Sequence, residues 1–184
     1  MNYVVIAIIV VLVLLILYVI STYNGLVSLR NKKDDQWSQI DVQLKRRADL
    51  IPNLVEIVKG YAKHESETLE KVIEARNTYM TAKTPEEEMK ASGEVTQALN
   101  KLLALSEAYP ELKANENFLG LQKDVSDTED KISYARQFYN DSVLSYNNKI
   151  ELFPSSIIAS MFHFEKEKFF EASAEERKNV QVKF

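Results

Sequence analysis

The fold of this chain is decided by the stretch FLGLQKDVSDTEDKISYARQFYNDSVLSYNNKIELF, residues 118–153. Its apolar or small residues recur every three or four positions, the spacing that lines one face of an α-helix. These seam positions are Phe118, Leu121, Val125, Thr128, Ile132, Ala135, Tyr139, Val143, Tyr146, Ile150 and Phe153. A helix over residues 115–152 would be about 57 Å long, and covering its seam requires other long helices. We therefore predict an all-α fold, a long antiparallel bundle of about four helices.

The other helices are predicted from the sequence upstream of this stretch. An apolar stripe from Leu26 to Ala48 indicates a first helix that could continue directly from the segment before it. Pro52 should end or kink that helix, because proline lacks the backbone N–H and disfavours helical geometry at the preceding residue. A second helix is expected from Pro52 to about residue 81. The run Thr84-Pro85-Glu86-Glu87 then predicts the start of a third, with threonine as N-cap and a capping box.

The N-terminal segment YVVIAIIVVLVLLILYVI, residues 3–20, contains only apolar residues and no charge. As a helix it would be about 27 Å long, close to the hydrocarbon thickness of a bilayer. We predict a transmembrane anchor, with Tyr3 at one membrane interface and Tyr18 and Tyr23 at the other. A cleaved signal peptide is the alternative, but no basic residue precedes the run, the run is too long, and no small-residue cleavage site follows it.

Basic residues predict the orientation of this anchor. Arg30, Lys32 and Lys33 follow it closely and the run 45–47 lies further on, whereas only two residues precede it. Basic residues concentrate on the cytoplasmic side of membrane proteins. We therefore expect a single-pass protein of the cell membrane, with its N-terminus outside and its C-terminal domain in the cytoplasm. The expected organisation is an anchor over residues 1–23, a helical bundle over 24–153, and a Phe-rich tail over 154–184.

Composition argues against several classes of function. The net charge of −4 disfavours a nucleic-acid partner, because binding phosphates needs a surplus of basic residues. Without cysteine there is neither a thiolate metal site nor a cysteine nucleophile. His64 and His163 fall in no metal-binding motif, and the chain has neither a nucleophile elbow nor a glycine-rich phosphate loop. We predict no enzymatic activity, no metal and no cofactor.

The most unusual polar stretch runs from residue 41 to 49. Arg46, Arg47 and Asp49 are candidate interface residues, for an acidic partner or a neighbouring subunit. The alternative is pairing inside the bundle, for instance with Glu129 or Asp130, together with compensation of the helix C-terminus. The sequence favours this pairing over the interface.

The Phe-rich tail is the second candidate interface. Phe162, Phe164, Phe169 and Phe170 are expected either to cap the open end of the bundle or to form an apolar surface for another molecule. Acidic and basic residues balance at five each between residues 162 and 184, whereas peripheral membrane helices are usually rich in Lys and Arg. This balance favours contact with protein over membrane insertion. Other aromatic residues, Tyr134, Phe138 and Tyr139, are predicted to lie in the bundle core.

Long runs of this sequence resemble the LemA family. They are YNGLVSLRN (23–31), QIDVQLKRRADLIPNLVEIVKGYAKHE (39–65), ARNTY (75–79), YPELKANENFLGLQ (109–122), TEDKISYARQFYND (128–141) and FPSSIIASMFHF (153–164). The resemblance implies a single-span, N-out membrane protein with a cytoplasmic helical bundle and no catalytic residues. LemA genes tend to accompany a membrane metalloprotease, which is only an association.

The sequence indicates two alternative functions. The first is a non-enzymatic membrane-anchored scaffold that forms a homo-oligomer and organises or shapes the membrane. The alternative is an adaptor or regulator that presents partners to another membrane protein, such as a protease.

Overall fold

The computed structural model describes residues 2–171, and within them the chain is all-α with no strand. Six helices follow one another in that part of the chain. They are α1 (Tyr3–Tyr61), α2 (Ser66–Thr81), α3 (Pro85–Leu105), α4 (Pro110–Lys113), α5 (Glu116–Glu151) and α6 (Ser155–Met161). The prediction of an all-α bundle with a long N-terminal apolar helix is confirmed. Residues 172–184 of the predicted tail lie outside the described residues.

The helices form two compact units, and both α1 and α5 pass through each of them. Unit one contains residues 2–39 and 135–169, and unit two contains residues 40–134 with 170 and 171. In unit one the first part of α1 packs antiparallel to the last part of α5. Trp37 meets Tyr139 edge-on at 5.4 Å between ring centroids, and Tyr146, two turns further along α5, shares a cluster with Leu26.

Unit two has an apolar core built from five helices. In it α2 packs against α3, and α1 contributes a continuous buried stripe. The fully buried side chains of this core include Ile40, Leu44, Ile51, Leu54, Leu99, Leu102, Leu112, Phe118 and Ile132. Removing such side chains from water supplies most of the favourable free energy of folding.

The seam predicted for α5 is largely buried, with one exception at its C-terminal end. Val125, Ile132, Val143 and Tyr146 are buried, but Phe153 is 81% exposed because α5 ends at Glu151 before reaching it. The prediction for the aromatic residues was right for Tyr139 and wrong for two others. Tyr134 and Phe138 are exposed, since the helix buries one stripe and they lie off it.

Pro52 does not end the first helix, contrary to one of the two predicted outcomes. Helix α1 passes through Pro52 and continues to Tyr61. A proline in a helix leaves the carbonyl four residues earlier without its usual donor, and here that carbonyl belongs to Ala48. The Arg76 Nε–H of α2 donates a hydrogen bond to the Ala48 oxygen at 3.0 Å. A side chain from a neighbouring helix thus replaces the missing backbone donor.

Arg76→Ala is expected to lower the free energy of unfolding by about 1–2 kcal/mol, because it leaves a buried carbonyl without a donor. In a Pro52→Ala background the cost should shrink, since the restored N–H of residue 52 can donate to Ala48. Denaturation of the full chain in mild detergent, monitored by circular dichroism, gives the free energy of unfolding of each variant. The double-mutant cycle then gives the interaction free energy between the two substitutions. Lys71→Ala, at an exposed position of the same helix, is the control. If Arg76→Ala lowers the free energy of unfolding equally with proline or alanine at residue 52, Arg76 does not replace the missing backbone donor.

The other helix ends are set partly by capping side chains close in sequence. The predicted second helix is divided, because α1 ends at Tyr61 and α2 begins only at Ser66. At the start of α3, the Thr84 side chain accepts a hydrogen bond from the Glu87 N–H at 3.2 Å, as predicted. The reciprocal bond differs, since the Glu87 carboxylate accepts from the Lys83 N–H. Asn115 caps α5 by accepting from the Phe118 N–H.

Candidate functional site

The first candidate surface is the N-terminal part of α1. This helix contains a window long and apolar enough to cross a membrane, and no residue of that window is buried. The core helix of a soluble protein would be covered on at least one face. Tyr3, Tyr18 and Tyr23, the predicted interface tyrosines, are all exposed. The segment runs without interruption through Asn24 and Gly25 into the part of α1 that packs in unit one.

The second candidate is the polar stretch of α1 in unit two. Arg46 and Asp49 are exposed, whereas Arg47 is 1% exposed. One terminal nitrogen of the Arg47 guanidinium donates to Glu129 at 2.5 Å and to Thr96 at 2.7 Å, and the other donates to the carbonyl and the hydroxyl of Ser92. Of the two possibilities raised by the sequence, Arg47 adopts the pairing with Glu129 inside the bundle.

A second polar cluster lies in the same unit. The Tyr79 hydroxyl donates to the Asp41 carboxylate at 3.2 Å. Burial, together with the charge and hydrogen bond of Asp41, raises the pKa of Tyr79 far above its usual range. Burial and the negative charge of Asp41 also raise the pKa of Glu88. The negative charge of Asp41 therefore opposes ionisation of both the Tyr79 hydroxyl and the Glu88 carboxyl.

Glu88→Gln is expected to stabilise the protein at neutral pH and to lose this advantage in acid. Because the pKa of Glu88 is raised in the folded state, the folded protein binds its proton more tightly than the unfolded chain. The stabilisation from this carboxyl is therefore present below its ordinary pKa and is lost as the pH rises through the raised one. Melting temperatures of both proteins at pH of about 4 and about 7 test this. Glu94→Gln, at an exposed position, is the control. A Glu88→Gln variant whose melting temperature shifts equally at both pH values would refute the prediction.

The third candidate is the Phe-rich tail, whose aromatic rings divide into two groups. Phe164 and Phe170 are buried, whereas Phe162 and Phe169 are 46% and 42% exposed. In unit one the Tyr23 ring lies 4.8 Å from Phe162 and 5.8 Å from Phe164, measured between centroids. The Arg30 guanidinium lies 5.4 Å from the Phe164 centroid, a cation–π distance. The part of the tail up to residue 169 therefore packs on unit one, and Phe162 and Phe169 also present apolar side chains outward.

Asn147 holds the extended part of the tail on unit one. Its side-chain amide donates to the Glu167 carbonyl and accepts from the Glu167 N–H, both at 2.9 Å. The Tyr139 hydroxyl donates to the carbonyl of Lys168 at 3.2 Å. These bonds satisfy backbone groups that have no helical partner.

Lys33 fixes the same segment by charge. Its ammonium lies 2.7 Å from the Glu167 carboxylate and 2.8 Å from that of Asp34. Burial by itself would lower the pKa of Lys33, but the hydrogen bonds and charges of these two carboxylates outweigh it and raise the pKa. Lys33 therefore stays protonated throughout the physiological range.

Sequence reasoning missed three of these features. The amide of Asn147 and the donor role of Arg76 have no local signal, because each partner lies at least 20 residues away. Helix α6 does have a local signal, because no charged residue occurs in 152–162, but this apolar density alone does not predict a helix. Among residues 2–171, no group of three or more His, Asp or Glu side chains is placed to hold a metal ion.

The described residues form an all-α protein, and its exposed apolar helix is compatible with a single membrane pass. The family follows from the sequence, because the LemA family model matches residues 36–184. The chain belongs to the LemA family, which confirms the resemblance seen in its sequence.

Three relatives illustrate the range of similarity. Protein LemA of Metamycoplasma hominis is 29% identical over 163 residues, covering 86% of this chain and 73% of that protein. Magnetosome protein MamQ of Magnetospirillum gryphiswaldense is 25% identical over 174 residues, covering 80% of this chain and 64% of the relative. Magnetosome protein MamQ 2 of Paramagnetospirillum magneticum is 24% identical over 175 residues, with 81% and 64% coverage. The chain thus spans less than two thirds of the MamQ proteins.

Proposed function

We propose that this protein is a non-enzymatic, membrane-anchored helical scaffold that self-associates and organises or shapes the membrane. The observation that carries the proposal is the continuity of α1. Its exposed apolar segment continues in the same helix to Leu26, a fully buried residue in the core of unit one. No loop separates the anchor from the packed part of unit one, so a force on the span is transmitted to the packed helices.

The orientation that we propose places the N-terminus outside and the remaining chain in the cytoplasm. Arg30 and Lys32 are exposed a few turns beyond the apolar segment, which supports this assignment. A reporter that is active only in the cytoplasm should give signal when fused to the C-terminus. Signal only from a reporter that is active outside the cell would reverse the orientation.

Self-association requires side chains that reach a second copy. Of the candidate interface residues, Arg46 and Asp49 in unit two and Phe162 and Phe169 in unit one are exposed. The buried Arg47 guanidinium and the buried rings of Phe164 and Phe170 would act indirectly, by holding the exposed residues in place.

The deciding experiment measures the mass of the full chain in lipid discs by light scattering, with the shape determined by electron microscopy. The scaffold predicts a discrete assembly whose protein mass is a multiple of 21.2 kDa. Phe169→Ser or Arg46→Glu should reduce that mass if the residue lies at the subunit contact. Lys45→Glu is the control for Arg46→Glu, because it makes the same charge change at the adjacent exposed position.

A monomer would contradict the scaffold and favour the adaptor. Cross-linking in native membranes separates the two, because a scaffold gives adducts between copies of this chain, whereas an adaptor gives one stoichiometric adduct with a different protein.

A further inference from the structure

Residues 152–162 form an apolar surface at the C-terminal end of α5. This run, LFPSSIIASMF, contains no charged residue. Five of its large apolar side chains are exposed, and we call them the α6 patch: Leu152, Phe153, Ile157, Met161 and Phe162. Single exposed apolar residues are ordinary on protein surfaces, but contiguous groups mark contact sites.

The patch is held in a fixed orientation by the opposite face of α6. Ile158 and Ala159 are buried in one cluster with Leu26, Tyr146 and Phe164. The helix therefore has apolar residues on two faces. One face is buried inside unit one, and the other is exposed. Rotation of α6 cannot hide the second face without exposing the first.

The position of the patch along α1 identifies what covers it. The cluster beneath α6 also contacts Val19, which belongs to the apolar segment of α1 itself. The Phe162 ring lies 4.8 Å from Tyr23, and Tyr23 is three residues, or about 4.5 Å of helix, beyond Ile20. The headgroup layer on each side of a bilayer is about 5–8 Å thick. Phe162 thus lies beside a residue just beyond the apolar segment, at headgroup depth when that segment spans the bilayer, and the buried face of α6 packs in the cluster that reaches Val19.

We propose that the α6 patch is a second membrane contact, inserted at the boundary between the headgroups and acyl chains beside the transmembrane helix. This inference rests on the proposed function, because it requires α1 to span the bilayer. The balanced acidic and basic residues that favour protein contact lie within residues 162–184, and the patch precedes all of them. If Phe162 contacts the membrane, it is not available for self-association. The exposed candidates for self-association are then Arg46, Asp49 and Phe169.

A shallow insertion of this kind has a physical consequence for the membrane. Apolar side chains that enter to about 5–10 Å occupy only one leaflet. They expand that leaflet relative to the other, and this favours curvature. Two attachment points also prevent unit one from turning about the axis of the span, so neighbouring copies would present their surfaces in a defined direction.

Tryptophan quenching by brominated lipids in discs tests the proposal with the full chain. Trp37 is the only tryptophan, so Trp37→Phe provides a silent background. Phe153→Trp, with Ile157→Trp as a second probe, reports the patch. Phe138→Trp replaces an exposed aromatic ring of α5 far from the span and is the negative control, and Tyr18→Trp reports the span. Bromines near the headgroup end of the acyl chains should quench the patch probes about two-fold or more, since a depth of about 5–10 Å brings them within reach.

Each outcome decides between the possibilities. Quenching of the patch and span probes without quenching of Phe138→Trp supports the proposal. Quenching of Tyr18→Trp alone overturns it while leaving the anchor intact. In that case, protection of Phe153→Trp from aqueous iodide would indicate that protein covers the patch, and free access of iodide would indicate exposure to water. If no probe is quenched, the membrane anchor fails and this inference fails with it.

Discussion

Glu129→Ala is expected to lower the free energy of unfolding by about 3–5 kcal/mol, because it leaves a buried cation without its counter-charge. The Arg47 guanidinium is almost fully buried, and Glu129, which accepts from it at 2.5 Å, is its ion-pair partner within residues 2–171. The hydroxyl of Thr96 and the two oxygens of Ser92 can accept hydrogen bonds but carry no charge.

A companion substitution distinguishes the stranded charge from simple loss of contact. Arg47→Met combined with Glu129→Ala should recover much of the stability, since an apolar side chain of similar length needs no counter-charge. Thermal unfolding in mild detergent should show a decrease of about 6–20 °C for Glu129→Ala, at about 2–4 °C per kcal/mol. Asp130→Ala, at the adjacent exposed position, is the control. A melting temperature equal to that of the control would show that Arg47 finds compensation elsewhere.

Asn147→Ala is expected to release the extended tail from unit one. It removes both hydrogen bonds to the Glu167 backbone, and unpaired backbone groups cost about 1–3 kcal/mol each when they stay buried. The tail can instead open to water, so the larger effect should be local. Hydrogen exchange of the Glu167 amide should accelerate by about ten-fold or more, the factor that corresponds to about 1.4 kcal/mol of local opening.

The control for this prediction is the next residue. Asn148→Ala removes an identical side chain from an exposed position of α5, so exchange at Glu167 should not change. Unchanged exchange in both variants would mean that Lys33 and Tyr139 hold the segment without the amide. Because the α6 patch precedes this segment, lipid quenching of Phe153→Trp should persist in Asn147→Ala.

The sequence by itself determined the features that depend on local spacing. The apolar segment 3–20, the buried seam of α5 and the threonine cap of α3 each follow from side-chain periodicity or from one turn of backbone. Such patterns predict which face of a helix is buried because the geometry of the helix fixes the spacing. The resemblance to LemA sequences was likewise carried by contiguous runs, and the family match confirmed it.

Tertiary structure alone decided the features that depend on partners distant in sequence. Arg46 and Arg47 are adjacent basic residues, yet only Arg47 meets Glu129, 82 positions away, and is buried. Pro52 is a helix breaker by its own chemistry, but Arg76 of another helix supplies a donor to Ala48 and α1 continues. Phe162 and Phe164 are two residues apart, yet only Phe164 is buried, in a cluster with Leu26 of α1 and Ile158 of α6. In each case the free energy of a residue depends on a contact that no neighbouring residue specifies, so local pattern could raise the alternatives but only the packed helices could choose between them.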